Sequence, residues 1–214
     1  MKSLPAVFRS PMTWLLVIVA VAAVVVFTGN GDDTTDTVDT PIDTETGPID
    51  VYGDFLTPYS DTDAGAGLTI PRVRATLLDG RSTELGPDGT ARLIGFFAHW
   101  CPHCQAEVPV VRRWLENTTL PDGFEMIAVS TAVDPSGGNY PPSEWFARED
   151  WQTPVILDDS AGSMAAAYGL TRFPYWVAVD ADGTVVSRTT GELTEAQLDG
   201  LVELAVGSTA GVAP

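Results

Sequence analysis

Leu93-Ile94-Gly95-Phe96-Phe97-Ala98-His99-Trp100-Cys101-Pro102-His103-Cys104 is the stretch on which the fold turns. Its first five residues form a continuous apolar run after Pro87-Asp88-Gly89, the pattern of a strand buried on both faces in the middle of a sheet. After the cysteines the spacing changes. Cys104, Val108, Val111 and Leu115 recur at intervals of four, three and four, which predicts one inward face of a helix ending near Asn117. Pro102 suits the first turn of that helix, whereas Pro109 inside it removes a backbone hydrogen bond and should kink the axis. The cysteines therefore stand where a buried strand feeds a helix N-terminus. There, unpaired N–H groups and the positive end of the dipole favour a thiolate on Cys101, and Cys104 is near enough to close a small disulfide with it. These are the only two cysteines, so a multi-disulfide scaffold is excluded, and a Cys-X-X-Cys in a βαβ pattern points to redox chemistry.

Working outward, residues 73–78 and 81–85 around Asp79-Gly80 read as a hairpin. Residues 124–129 read as a strand, 134–142 as a Pro/Gly-rich loop, 143–150 as a short helix, 155–157 as a strand and 162–168 as a short helix. A second hairpin spans 175–179 and 184–188 around Asp180-Ala181-Asp182-Gly183, and a final amphipathic helix over 194–205 is capped by Thr194 with Gln197 three residues on. Strand and helix alternate first, and a hairpin and helix follow. This predicts an α/β domain with a mixed sheet and helices on both faces.

The longer stretch from Phe96 to Pro109, with Tyr168-Gly169-Leu170, Phe173-Pro174-Tyr175 and Val177-Ala178-Val179-Asp180 before Asp182-Gly183, resembles the thioredoxin superfamily. It is most similar there to the membrane-tethered TlpA/ResA-type thiol-disulfide oxidoreductases, over residues 68–206. The resemblance implies a thioredoxin-like central sheet flanked by helices, with an N-terminal β-hairpin extension. It implies Cys101 as nucleophile, Cys104 as its resolving partner, Glu107 as a buried acid that tunes the thiols, and Pro174 as a cis-proline beside the motif. The implied partners are client protein thiols and disulfides and a membrane redox-recycling partner, with no cofactor beyond the dithiol. Glu107 lies three residues from Cys104 and so on much the same helix face; a carboxyl pushed inward there has a raised pKa and can move a proton. A solvated acid early in the helix is the alternative.

His103, when protonated, stabilises the Cys101 thiolate and makes the couple more oxidising. The Pro102-His103 dipeptide departs from the TlpA/ResA pattern and looks like that of DsbA-type oxidants, and Phe173 is bulkier than the family's usual residue. Trp100 is expected over the active site, His99 as a partly exposed surface histidine, and Arg112-Arg113 on a solvated face. The leading expectation is a client reductase, with cytochrome c maturation as the process the resemblance suggests; a DsbA-like oxidant is the alternative. Three further alternatives are a peroxiredoxin-like peroxidase, a Cu/Zn carrier using His99, Cys101, His103 and Cys104, and a tethered holdase with an apolar patch formed by the Asp134–Pro142 loop with Trp145, Phe146 and Trp151.

Of 214 residues, 11 are basic and 29 acidic, a net charge of -18 that argues against nucleic acid as a partner. Residues 1–30 carry only Lys2 and Arg9, and residues 31–67 carry acids without a base. Residues 10–31 hold no charge, a run of about 33 Å as a helix, and from Trp14 to Phe27 they are almost entirely aliphatic. The expected organisation is a cytoplasmic N-terminus at 1–11, a transmembrane anchor at 12–30 and an acidic disordered linker at 31–67. A thioredoxin-like domain at 68–206 and a flexible tail at 207–214 complete it. A cleavable signal peptide is the competing reading of the apolar run, and either places the domain outside the cytoplasm.

Overall fold

The computed structural model describes residues 45–207. The expected cytoplasmic N-terminus, the apolar run from Trp14 to Phe27 and the tail after Gly207 lie outside the described residues, among which no helix is long and apolar enough to cross a membrane. The described chain runs β1 (Asp50–Tyr52), β2 (Arg72–Leu77), β3 (Ser82–Leu85), β4 (Ala91–Phe97), α1 (Pro102–Asn117), β5 (Phe124–Ser130), α2 (Pro142–Arg148), β6 (Val155–Leu157), α3 (Ser163–Ala167), β7 (Tyr175–Val179), β8 (Val185–Thr190) and α4 (Glu195–Gly207).

All eight strands form one sheet, with the path β1-β2-β6-β5-β4-β7-β8 and β3 on β2. Strand β2 pairs with three others. Because Val73 and Arg74 face both β1 and β3, these lie on opposite edges, and β6 takes the rest of the β1 edge at Thr76 and Leu77. Strand β4 is central, parallel to β5 and antiparallel to β7. Every one of its residues is buried: Leu93 to Phe97 as the apolar run requires, and Arg92 with its guanidinium paired to Asp88 and Glu125. Leu93 and Phe97 join the core beneath α1, α2 and α4, while Ile94 and Phe96 join the core beneath α3, so helices cover both faces. Thr194 and Gln197 form the expected capping box: the Thr194 hydroxyl accepts the Gln197 N–H and Gln197 Oε1 accepts the Thr194 N–H.

Helix α1 runs on through Pro109, and its buried face is Cys104, Glu107, Val108, Val111 and Trp114. Leu115 is half-buried against the same core, and Trp114 beside it is buried, with its indole N–H donating to Asp199 on α4 at 2.7 Å.

One expected boundary is corrected. Residues 45–67, read as part of a solvated linker, pack on the domain. Strand β1 pairs with β2, Leu56 is buried with its N–H on Ala167 O (2.9 Å), and the Tyr59 N–H reaches Gly169 O (2.8 Å). Asp63 accepts from Nε of the buried Arg188 at 2.7 Å, and Thr57 O accepts from its Nη1 at 2.8 Å. A segment poor in apolar residues becomes ordered here because the domain already supplies a strand edge and a buried cation that needs a counter-charge.

Candidate active site

Strand β4 ends at Phe97, and a tight turn follows in which the Cys101 N–H donates to Ala98 O at 2.9 Å. Cys101 is the N-cap of α1, extended in backbone, with Pro102 in the first turn. Its side chain therefore sits at the positive end of the helix, as the sequence required. Cys101 is 7% exposed and Cys104 fully buried, and no disulfide joins them. The Ala98 N–H points at Cys104 Sγ (3.5 Å), but burial dominates and pushes the Cys104 thiol well above its ordinary pKa. The two sulfurs are thus unequal: one at the edge of solvent on the helix end, one inside.

One turn below Cys104, Glu107 is fully buried. Both its oxygens accept the Leu193 N–H, at 3.1 and 2.9 Å. Burial pushes its pKa up to about 7; the Leu193 bond opposes that rise and the nearby charge of Glu192 adds to it. The floor of this site depends on a glycine. Trp176 on β7 pairs with Gly95 on β4, where any Cβ would stand 2.6 Å from the indole. The missing side chain lets Trp176 lie against Phe97, with ring centroids 5.3 Å apart, and beneath the Glu107 carboxyl.

The structure brings the other singled-out residues to the same end of the sheet. The Phe173–Pro174 peptide bond is cis, and the Phe173 ring meets Trp100 edge-on at 6.0 Å. Trp100, 38% exposed, donates its indole N–H to Ala132 O at 2.7 Å and so covers the rim of the motif. His103 is exposed on the first turn of α1, and its Nδ1–H donates to Glu192 Oε1 at 2.8 Å.

His99 is corrected: it is 1% exposed rather than at the surface. Its Nε2 accepts the Asp134 N–H (3.1 Å), so the proton is on Nδ1, which donates to Gly138 O (2.7 Å). His99 pins the 134–139 loop against the motif, and both its nitrogens are used. With His103 turned to Glu192, the four side chains considered for a Cu/Zn carrier do not converge, and no described group of three His, Cys, Asp or Glu gathers for a metal. Trp145 and Phe146 are core residues and Trp151 packs on them, so these three aromatics belong to the core and do not form the surface patch expected of a holdase. The other fully buried acid, Asp158, takes the Thr131 hydroxyl and the Met164 and Ala165 N–H groups and so caps α3 away from the site. The residue that sequence reasoning missed is Glu192; its one signal is an acid directly after the Gly191 that ends the β7–β8 hairpin.

A sequence model described as Redoxin matches residues 65–202. The thiol-disulfide oxidoreductase ResA of Bacillus cereus is 27% identical over 138 residues, 64% of this chain and 76% of the relative. The thiol:disulfide interchange protein HelX of Rhodobacter capsulatus is 27% identical over 142 residues, 64% of this chain and 75% of the relative. Among solved structures, StoA from Bacillus subtilis superposes with a TM-score of 0.52 at 21% identity, over 61% of this chain and 95% of the other. A DsbE-type interchange protein from Chlorobium tepidum gives 0.53 at 20% identity, over 65% and 96%, and both agree with the fold. With its strand-to-helix dithiol and these relatives, the chain belongs to the Redoxin family and is a thiol-disulfide oxidoreductase of the TlpA/ResA type in the thioredoxin superfamily.

Proposed function

We propose that this chain is an extracytoplasmic protein-disulfide reductase, held at the membrane by the run from Trp14 to Phe27 with its N-terminus in the cytoplasm. The observation that carries the reading is the inequality of the sulfurs, Cys101 on the helix end and Cys104 buried one turn above Glu107. The Cys101 thiolate attacks a client disulfide, forming a mixed disulfide and releasing one client thiolate, which takes a proton. Cys104 passes its proton to the Glu107 carboxylate and attacks the Cys101 sulfur. The second client sulfur then leaves, and the Cys101–Cys104 disulfide has taken the electron pair. A carboxyl poised near neutrality suits that relay, because it accepts the proton in one direction and returns it in the other.

Pro174 shapes the surface on which the client strand lies, while Trp100, Pro102 and His103 tune the rim. Recycling falls to a membrane redox partner, and the ResA/HelX likeness supports apocytochromes in cytochrome c maturation as the clients. His103 turns its Nδ1–H to Glu192 at 2.8 Å instead of toward Cys101, which supports reduction over the DsbA-like oxidant. The test is equilibration of the full-length protein with glutathione. A potential near the thioredoxin end, about -270 mV, supports the reading, and one near the DsbA end, about -120 mV, reverses its direction.

A further inference from the structure

Opening a client disulfide leaves a second proton to be placed. The departing client sulfur leaves as a thiolate, and an alkyl thiolate leaves slowly unless it is protonated as it goes. Glu107 and Cys104 are fully buried and do not face that outer sulfur. His103 lies on the solvent side of the motif: its side chain is 68% exposed, two residues from Cys101 at the head of the same helix. Its Nδ1–H is held by Glu192 Oε1 at 2.8 Å, and no hydrogen bond joins Nε2 to a described residue.

We propose that His103 and Glu192 form a carboxylate–imidazole dyad whose Nε2–H protonates the departing client thiolate, with His103 as the proton donor and Glu192 as its positioning residue. The carboxylate fixes the tautomer, so the proton gained or lost is always the one on Nε2. In the reductive direction imidazolium gives that proton to the client sulfur and is left neutral with Nδ1–H still on Glu192; the reverse reaction returns it. No bond to the imidazole forms or breaks apart from this N–H. Glu192 is itself placed by its neighbours, since the Gly191 N–H donates to Pro174 O (2.9 Å) and the Leu193 N–H to Glu107.

The inference rests on Cys101 as the attacking thiol, and the test separates the two. The reduced full-length chain is mixed with glutathione disulfide, whose alkyl thiolate needs a proton, and with a nitrobenzoate disulfide, whose acidic aryl thiolate does not. The quantity read is the ratio of the two rate constants. His103→Ala lowers the glutathione-to-aryl ratio about tenfold, the modest end of general acid catalysis expected of an exposed group. Glu192→Gln lowers it about threefold, and the double variant falls no further than His103→Ala. An unchanged ratio in His103→Ala overturns the dyad, as does a Glu192→Gln effect that persists in full without His103. If the wild-type chain fails to react with the aryl disulfide, the role of Cys101 falls and the dyad with it.

Discussion

Glu107→Gln isolates the one buried acid at the site. The carboxyl has no exposed surface, and burial moves its pKa from an ordinary 4.5 to about 7. Below pH 4.5 the group is protonated whether the chain is folded or not, so it costs nothing. As pH rises from 4.5 to 7, the unfolded chain releases the proton and the folded chain keeps it. Folding stability therefore falls across that window and levels off above it. The difference between the two pKa values corresponds to about 3 kcal/mol. Glutamine still accepts the Leu193 N–H but cannot ionise. Relative to wild type, Glu107→Gln should thus gain about 3 kcal/mol of stability between pH 4.5 and pH 8. The measurement is urea unfolding of the full-length chain at pH 4.5, 6, 7 and 8, followed by tryptophan fluorescence, with both cysteines kept reduced. The Cys104 thiol does not interfere, since burial raises its pKa and keeps it neutral over this range. A stability difference between variant and wild type that is flat across the four pH values would refute the desolvation argument.

Two further substitutions probe placements that the sequence did not reveal. Asp63→Ala removes the counter-charge of a buried guanidinium and should cost about 3–5 kcal/mol by urea unfolding, with part recovered when Arg188→Met is added; no change would mean that the 45–67 segment does not hold the domain. His99→Ala leaves Gly138 O and the Asp134 N–H without their partner and should cost about 2–3 kcal/mol, with faster proteolysis within residues 134–139 as the local readout.

What was legible in the sequence is what depends on near neighbours. Strands β4, β6 and β7 lie within two residues of the positions that their apolar runs indicated, because a strand buried on both faces shows this locally. Helix α1 ends at Asn117 as its spacing required, and Glu107 faces inward because it shares the side of Cys104. What was not legible depends on partners far along the chain. Asp63 meets Arg188 across 125 residues, His103 meets Glu192 across 89, and His99 meets Gly138 across 39. The acid-rich composition of residues 45–67 described a segment that cannot build its own core, and that remains true of it. It said nothing of the strand edge and the cation that the rest of the fold offers.

The same long-range dependence explains why the site has two acids with different tasks. The loop Gly191-Glu192-Leu193 follows edge strand β8 and is tied down by the capping box that opens α4. Held from both sides, it touches the cis-proline segment with one residue, the imidazole with the next and the buried carboxyl with the third. The Glu192 side chain reaches outward to the helix head, while the N–H of the next residue, Leu193, turns in toward Glu107. In the scheme proposed above, one acid serves the sulfur that departs into solvent and the other the sulfur that stays inside. Their charges repel through the loop that holds them, which raises the inner acid's hold on its proton and favours the form that returns it.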